Sequence, residues 1–475
     1  MNFVRSDAVE KIRQKIDHPV IDGDGHVLEY YPVVRDLLVE EAGESVAKRA
    51  DVMMSGSGAI RDLPRDQMHH FGAFRATWWG VPSENTLDRA TAIAPDLMHA
   101  RLDELGVDFA LLFGTSSLGM LGNQDEELRR ALARANNRYY AELFCGHRDR
   151  MEPVAVIPMV TPDEAIAELD YAIGELGLKA IVMAGLALRP LPGAEDVPGA
   201  KWIDTLAHDS DYDYDPVWAR CEELGVSPTF HQPGLGWGSR VSRKSYVYNH
   251  LGHFAAAGEA TCRSIFLGGV PKRFPKLRFA FLEGGVAWGL SLYSAMFGLY
   301  EKRGKEGIEH LNPANLDRPL LLELLEEYGS KAIRERLDRI GEGSLFLSDP
   351  KDPGGDRDEF AESGISGPDD IEEIFTRRFY FGCEADDPMN ALAFSKKINP
   401  RGAELQALFA SDIGHWDVPD FRGILPEAWE LVERDLLDMS QFRAFMCDNT
   451  ASLLTATNPD FFAGTVIEDS VKLKL

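Results

Sequence analysis

Eight short apolar runs, each ending in small or polar residues, constrain the fold of this 475-residue chain more than any other feature. In order they are residues 20–26 (VIDGDGH), 109–115 (FALLFGT), 153–159 (PVAVIPM), 179–185 (KAIVMAG), 227–231 (SPTFH), 278–283 (RFAFLE), 378–383 (RFYFGC) and 407–412 (ALFASD). Runs this continuously apolar suit parallel strands buried on both faces. Helical periodicity lies between them. In TPDEAIAELDYAIGELG, Thr161 is a natural N-cap, Pro162 opens the helix, acidic residues fill the first turn and Gly177 stops it. The segment 214–224 repeats the idea, with Asp215 as cap, Pro216 next and Gly225 at the end. Further helices are expected over 125–144, 255–266, 287–300 and 428–436. Strand and helix alternate from about residue 150, the signature of βαβ units. Eight such strands predict an α/β fold closed into a (β/α)8 TIM barrel; an open doubly wound sheet is the alternative.

Two segments break the rhythm. Residues 32–100 carry clustered Gly, Arg, His and Trp, and residues 310–375 end in a Gly/Pro/Asp-rich stretch. Both read as long loop insertions in one domain spanning 1–475, with a C-terminal extension over 456–475 whose last dozen residues are an arm or pack on a neighbour. A hydrophobic share of 44% supplies a large core and excludes a mostly disordered chain. Lys and Arg total 50 against 77 Asp and Glu, a formal charge of −27. Such a surface repels phosphate backbones and anionic lipids, so neither nucleic acid nor membrane is expected as a partner. Five scattered cysteines without a C-x-x-C pair, no apolar stretch of membrane-spanning length and no secretory pattern at the N-terminus predict a soluble, cytoplasmic protein.

In a barrel of this kind the active site forms at the C-terminal ends of the strands. The first run ends Asp22-Gly23-Asp24-Gly25-His26; residues two apart share a strand face, so Asp24 and His26 both face the axis, with Asp22 one step deeper. The fifth ends in His231 and the eighth in Asp412. Two imidazoles and two carboxylates form a site for one divalent ion, Zn²⁺ or Mn²⁺, the oxygen share leaning towards Mn²⁺. Taken singly, each residue also reads as an ordinary turn or hydrogen-bonded side chain; the combination from three strands is what points to a metal.

These motifs carry a resemblance. VIDGDGHV, the 151–185 stretch, YDPVWARCEELGVSPTFHQPG, GGVPKRFPKLRFAFLEGG and LFASDIGHWD resemble the amidohydrolase superfamily, in the branch that holds the aminocarboxymuconate semialdehyde, γ-resorcylate and 5-carboxyvanillate decarboxylases. The resemblance implies a (β/α)8 fold, a single divalent metal, a homodimer, and decarboxylation or hydrolysis of a small carboxylate or carbonyl substrate. It implies Asp24, His26, His231 and Asp412 as the ligands. The decarboxylases of hydroxylated benzoates are similar in having an acidic residue at the position of Asp24. Lys179 begins the fourth strand, so it does not resemble the carbamylated lysine of dinuclear members. One departure stands out: Glu283 occupies the strand-six end where many relatives carry His.

The leading expectation is a carboxy-lyase acting on an aromatic or unsaturated acid, with Asp412, Glu283 or His253 as proton donor. Hydrolysis of an ester, lactone, amide or C–C bond uses the same four ligands, and a catalytically silent barrel is the third reading. His250, His415, Arg240 and Trp237 are candidate substrate contacts, Arg240 and Arg243 through a substrate carboxylate and Trp237, Trp78 and Trp79 as apolar walls. Glu384, Asp386 and Asp387 read as the acidic first turn of a helix rather than as catalytic groups.

Overall fold

Apolar runs that were expected as strands are strands in the computed structural model, which describes residues 3–61, 63–70, 73–75, 84–197, 200–342, 357–415 and 417–472. They are β1 (Ile21–Val27), β2 (Phe109–Gly114), β3 (Met151–Ile157), β4 (Ala180–Met183), β5 (Ala187–Pro190), β6 (Lys201–Asp204), β7 (Pro228–Phe230), β8 (Phe279–Phe281), β9 (Phe379–Glu384) and β10 (Gln406–Ala410). Eight of them form one parallel sheet in the order β1-β2-β3-β4-β7-β8-β9-β10. Their residues are buried almost throughout, as both faces of a barrel strand require. The sheet curls until its two edge strands meet, giving the (β/α)8 barrel. The hairpin β5–β6 was not foreseen. Its strands are four residues each, half exposed and antiparallel, so they lack the apolar run by which the barrel strands announce themselves.

The edges are joined by three polar connections. Asp412 N–H donates to Asp24 C=O (3.1 Å) and His26 N–H to Ile413 C=O (2.8 Å). Asp22, wholly buried, completes the seam: one carboxylate oxygen accepts from Ser411 N–H (3.0 Å) and Asp24 N–H (3.2 Å), and the other from the Ser411 hydroxyl. The register of β1 slips between Asp22 and Gly25, a bulge that breaks the simple alternation expected for Asp22, Asp24 and His26. Asp22 therefore serves the seam, while Asp24 and His26 serve the mouth. Gly25 is required at the bulge, because a Cβ there would sit 2.6 Å from an Asp22 carboxylate oxygen and 3.2 Å from Leu112.

Helix starts follow local chemistry. Thr161 and Glu164 form a reciprocal capping box ahead of the helix Pro162–Leu169. The helix Asp215–Leu224 corrects the expectation of Asp215 as cap: Tyr214 holds that position, and Asp215 sits in the first turn, its carboxylate taken by Arg273 at 2.7 Å. The helix expected over 255–266 runs His253–Leu267, which places His253 at its first turn. The segment 32–100 is helical rather than loop-like in its described parts, with helices Tyr31–Ala42, Glu44–Arg61, Arg65–His70 and Thr86–Ile93. Arg101 anchors this region, buried between Asp88 (2.6 Å) and Glu104 (2.7 Å). The described parts of 310–375 hold helices Arg318–Tyr328 and Lys331–Arg334 and the start of Pro368–Arg377. Trp78 and Trp79 lie outside the described residues. The 456–472 stretch packs on its own barrel: Phe461 and Phe462 stand edge-on to Phe109, Val466 N–H donates to Asp149 C=O (3.0 Å), and Ile467 and Val471 are buried. Lys179 Nζ donates to Phe461 C=O at the end of the barrel away from the site. No helix among the described residues is long and apolar enough to cross a membrane.

The bulge makes a measurable demand. Replacing Gly25 by Ala is expected to destabilise the fold by about 1–3 kcal/mol through overpacking at the seam. Gly122→Ala, where a Cβ meets open space, is expected to stay within about 0.5 kcal/mol. Equilibrium denaturant midpoints of the two variants check this; equal midpoints would remove the bulge from the account of closure.

Candidate metal centre

Each of the four expected ligands is delivered by a strand end. Asp24 lies within the β1 bulge and His26 just beyond it, 2% and 0% exposed. His231 directly follows β7. Asp412 follows β10 by two residues with a left-handed backbone (φ 52°), and Gly414 (φ 96°) turns the chain away, since a Cβ there would lie 2.7 Å from His26 C=O. The side chains converge. His26 Nε2 is 3.3 Å from His231 Nε2, 3.3 Å from Asp412 Oδ1 and 3.6 Å from Asp24 Oδ1; His231 Nε2 is 3.7 Å from Asp24 Oδ1. The donors fall into two groups that share His26, one with Asp24 and His231 and one with Asp412, Glu283 and His415; within each, the spacing suits atoms bound to one ion at about 2.0–2.2 Å.

The electrostatics of the cluster call for a cation. Burial, then His415 and His231, hold the His26 imidazole well below its ordinary range. Burial also lowers His231, which packs against Phe113 and Phe254. Both rings are therefore neutral, each with a lone pair to give. Burial pushes the carboxyl of Asp24 well above the usual range, and does the same to Asp412, aided by Glu283 and Glu384. Both oxygens of Asp24 are buried without a hydrogen-bond partner. No lysine or arginine is among the charged neighbours that set Asp24 and Asp412. Buried carboxylates facing neutral imidazoles, with no lysine or arginine among these described neighbours, are costly, and a divalent ion removes that cost. The residues present fit such an ion.

Other expected residues fall into two groups. His415 and Glu283 join the centre. His415 stacks on His26 (3.7 Å between ring centroids) and its Nδ1 lies 2.5 Å from Asp412 Oδ1. Burial, with His231 and His250, takes it down to about 3, so it too is neutral. Glu283 Oε2 lies 2.8 Å from His231 Nε2, and the residue has a left-handed backbone (φ 57°). Burial and then Asp417 raise its carboxyl well above the usual range. His253 stays apart: it faces His250 at 3.2 Å and stacks on Phe254, outside the groups whose donor atoms converge. His250 is in turn bonded to Tyr246 (2.8 Å). Arg240 donates to Leu251 and Gly252 C=O (3.3 and 3.2 Å), and its Nε is buried without a partner. Trp237 is half-buried beside Gly234 in the loop after β7. Arg243 is half-buried in the same loop.

Glu384 was misread from sequence. It ends β9 and belongs electrostatically to the centre, where burial and Glu283 raise it well above the usual range; only Asp387 caps the short helix Pro388–Phe394. Its signal was present, because RFYFGCE is an apolar run ending in a polar residue like the others. Asp417 was missed as well, and nothing in its local sequence distinguishes it from a loop carboxylate.

The amidohydrolase family model matches residues 22–333, more than half of the chain and three of the four strand-end residues above. Several solved structures are similar over most of the length. An amidohydrolase from Mycobacterium avium subsp. paratuberculosis K-10 is 20% identical over 78% of this chain and 75% of that one, with a TM-score of 0.48. A 2,6-dihydroxybenzoate decarboxylase from Rhizobium is 13% identical over 92% and 99%, TM-score 0.48. A dihydroxybenzoic acid decarboxylase from Polaromonas sp. JS666, with bound manganese and 2-nitroresorcinol, is 15% identical over 94% and 99%, TM-score 0.48. With its strand-end residues gathered at one mouth and its family model matched from β1 past β8, this chain belongs to the amidohydrolase family.

Proposed function

We propose that this chain is a metal-dependent carboxy-lyase that removes CO₂ from an aromatic or unsaturated carboxylic acid, using one divalent ion held by Asp24, His26, His231 and Asp412. The observation that carries the reading is the convergence of Asp24, His26 and His231 at 3.3–3.7 Å, with Asp412 3.3 Å from the shared His26 and the Asp24 carboxylate buried with no other partner. The acidic residue at position 24 supports a lyase, since the resemblance ties a carboxylate there to decarboxylases of hydroxylated benzoates. When bound, the ion supplies Lewis-acid charge for substrate oxygens.

The chain's own residues do the rest. Arg240, with its Nε free of other bonds, receives a substrate carboxylate. The half-buried Trp237 lies in the same loop and offers an apolar wall. Asp412, in contact with His415 at 2.5 Å, gives a proton to the carbon that bears the carboxylate. The C–CO₂ bond then breaks, its electron pair restores the unsaturated system and CO₂ leaves. His415, its neutral ring 2.5 Å from Asp412, orients that carboxyl, and solvent resupplies the proton. Hydrolysis is the second reading, favoured by one observation: Glu283 stands where the strand-six imidazole of the resembling decarboxylases is expected. In that case Asp412 accepts the proton of an attacking water.

Purified protein is expected to hold one Mn²⁺ or Zn²⁺ per chain by elemental analysis, and His231→Ala to lose it. A wild-type protein that binds neither ion, and gains no thermal stability from either, sinks both enzyme readings in favour of the silent barrel. Against a panel of hydroxybenzoates and simple esters, CO₂ release identifies the lyase and acid release the hydrolase. Asp412→Asn is expected to lower kcat on the identified substrate by about 10²–10⁴-fold. Arg240→Ala is expected to raise KM by about 10–100-fold with a smaller change in kcat, as loss of a charge-assisted contact implies. An unchanged KM removes Arg240 from the substrate site.

A further inference from the structure

We infer that Glu283 is a fifth ligand of the same ion, so that the centre is built from three carboxylates and two imidazoles rather than two of each. The inference rests on the metal reading above and changes what Glu283 does: it holds the ion instead of moving a proton.

The first argument is the company of its Oε2. That atom lies 2.8 Å from His231 Nε2, belongs to a side chain only 7% exposed, and has no hydrogen-bond partner. When His231 Nε2 gives its lone pair to a metal it carries no proton, so it cannot donate to Glu283. Without an ion a protonated Glu283 donates to that lone pair; once the nitrogen is given to a metal, an ionised Glu283 oxygen 2.8 Å away is held there by the same cation. Glu283 also shares a cluster with His26, Asp412 and His415 whose donor atoms all lie within 4.8 Å of one another. Ligands on opposite sides of one ion are about 4.4 Å apart, so Glu283 is within the reach of the ion that His26 and Asp412 bind.

The second argument is angular. Two donors at about 2.1 Å from an ion are about 3.0 Å apart at a right angle and about 3.4 Å apart at the tetrahedral angle. His26 lies 3.3 Å from His231, 3.3 Å from Asp412 and 3.6 Å from Asp24, and His231 lies 3.7 Å from Asp24. The Glu283–His231 separation of 2.8 Å adds a right-angle relation that a tetrahedron lacks. A mixture of the two belongs to coordination above four, which suits a hard, oxygen-preferring ion such as Mn²⁺ better than a closed four-coordinate Zn²⁺ site.

The third argument is backbone strain. Glu283 and Asp412 each stand two residues past a barrel strand, each with left-handed φ (57° and 52°). A non-glycine residue held there costs about 1–3 kcal/mol and persists where its surroundings use it. Gly284 and Gly285 let the chain leave at once, since a Cβ on Gly284 would lie 2.8 Å from Trp288 Nε1 and Gly285 is itself left-handed (φ 68°). The same corner thus presents a carboxylate from β8 as from β10.

The test uses full-length protein stripped of metal and reloaded with Mn²⁺ or Co²⁺ alone. Wild type is expected to bind one ion and, with Co²⁺, to show the weak visible absorption of a five- or six-coordinate centre. Glu283→Gln is expected to bind Mn²⁺ about 10–100-fold more weakly and to shift the Co²⁺ spectrum towards the intense four-coordinate form. Glu283→Asp, which keeps a carboxylate, is expected to recover part of the affinity. An intense four-coordinate Co²⁺ spectrum in the wild type overturns the inference without recourse to a variant. So does a Glu283→Gln protein with wild-type affinity and spectrum, which would leave the four-ligand reading standing. A wild type that takes up no ion overturns the four-ligand reading itself.

Discussion

The seam between β1 and β10 is the constraint on which the rest of this structure depends. A parallel sheet of eight strands has two open edges, and here they are sewn together by Asp412 N–H to Asp24 C=O, His26 N–H to Ile413 C=O, and the buried carboxylate of Asp22 reaching Ser411. The atoms that close the barrel are the backbone of the residues that face its mouth. Closure and site assembly are one event: Asp24 and His26 come within reach of Asp412 because their strands are bonded at that level. The bulge at Gly25 lets one short run, DGDGH, send one carboxylate into the seam and another, with an imidazole, into the centre.

The site is acidic at a cost that the fold alone does not repay. Burial raises Asp24, Asp412, Glu283 and Glu384, with Glu283 adding to the other three and Asp417 adding to Glu283, and the imidazoles of His26, His231 and His415 are held neutral. Removing carboxylates from water without pairing them is among the most unfavourable arrangements a protein can keep. Its persistence is understandable as a preformed seat for positive charge, in which binding energy is stored as electrostatic tension. The chain as a whole is acidic too, at −27, yet that surface charge is screened and dispersed, whereas the charge at the mouth is concentrated where the dielectric is low.

Much of the architecture could be read in the chain before any coordinates. Barrel strands are buried on both faces, so they appear as unbroken apolar runs, and each of the eight was found where such a run stood. The capping box at Thr161 and Glu164 was legible for a similar reason, because it is satisfied by residues three apart. The hairpin β5–β6 was not legible, since its half-exposed four-residue strands carry no run to detect. Tyr214 as the cap in place of Asp215 was a tertiary outcome, decided when Arg273 captured the aspartate. Glu384 does not stand out in the sequence because Asp386 and Asp387 follow it closely, and only the end of β9 tells which of the three belongs to the centre.

The sequence alone determined the fold class and the residue types at the strand ends, because burial on two faces and the chemistry of a turn are local matters of composition and order. Tertiary structure decided which of those polar residues meet. Asp22 was diverted to the seam by a one-residue bulge, His253 was carried to the side of His250 by the start of its helix, and Glu283 was turned towards His231 by a left-handed backbone angle. Side chains hundreds of residues apart become neighbours only when strand register, closure and corner geometry are set together, and a linear pattern contains none of those three.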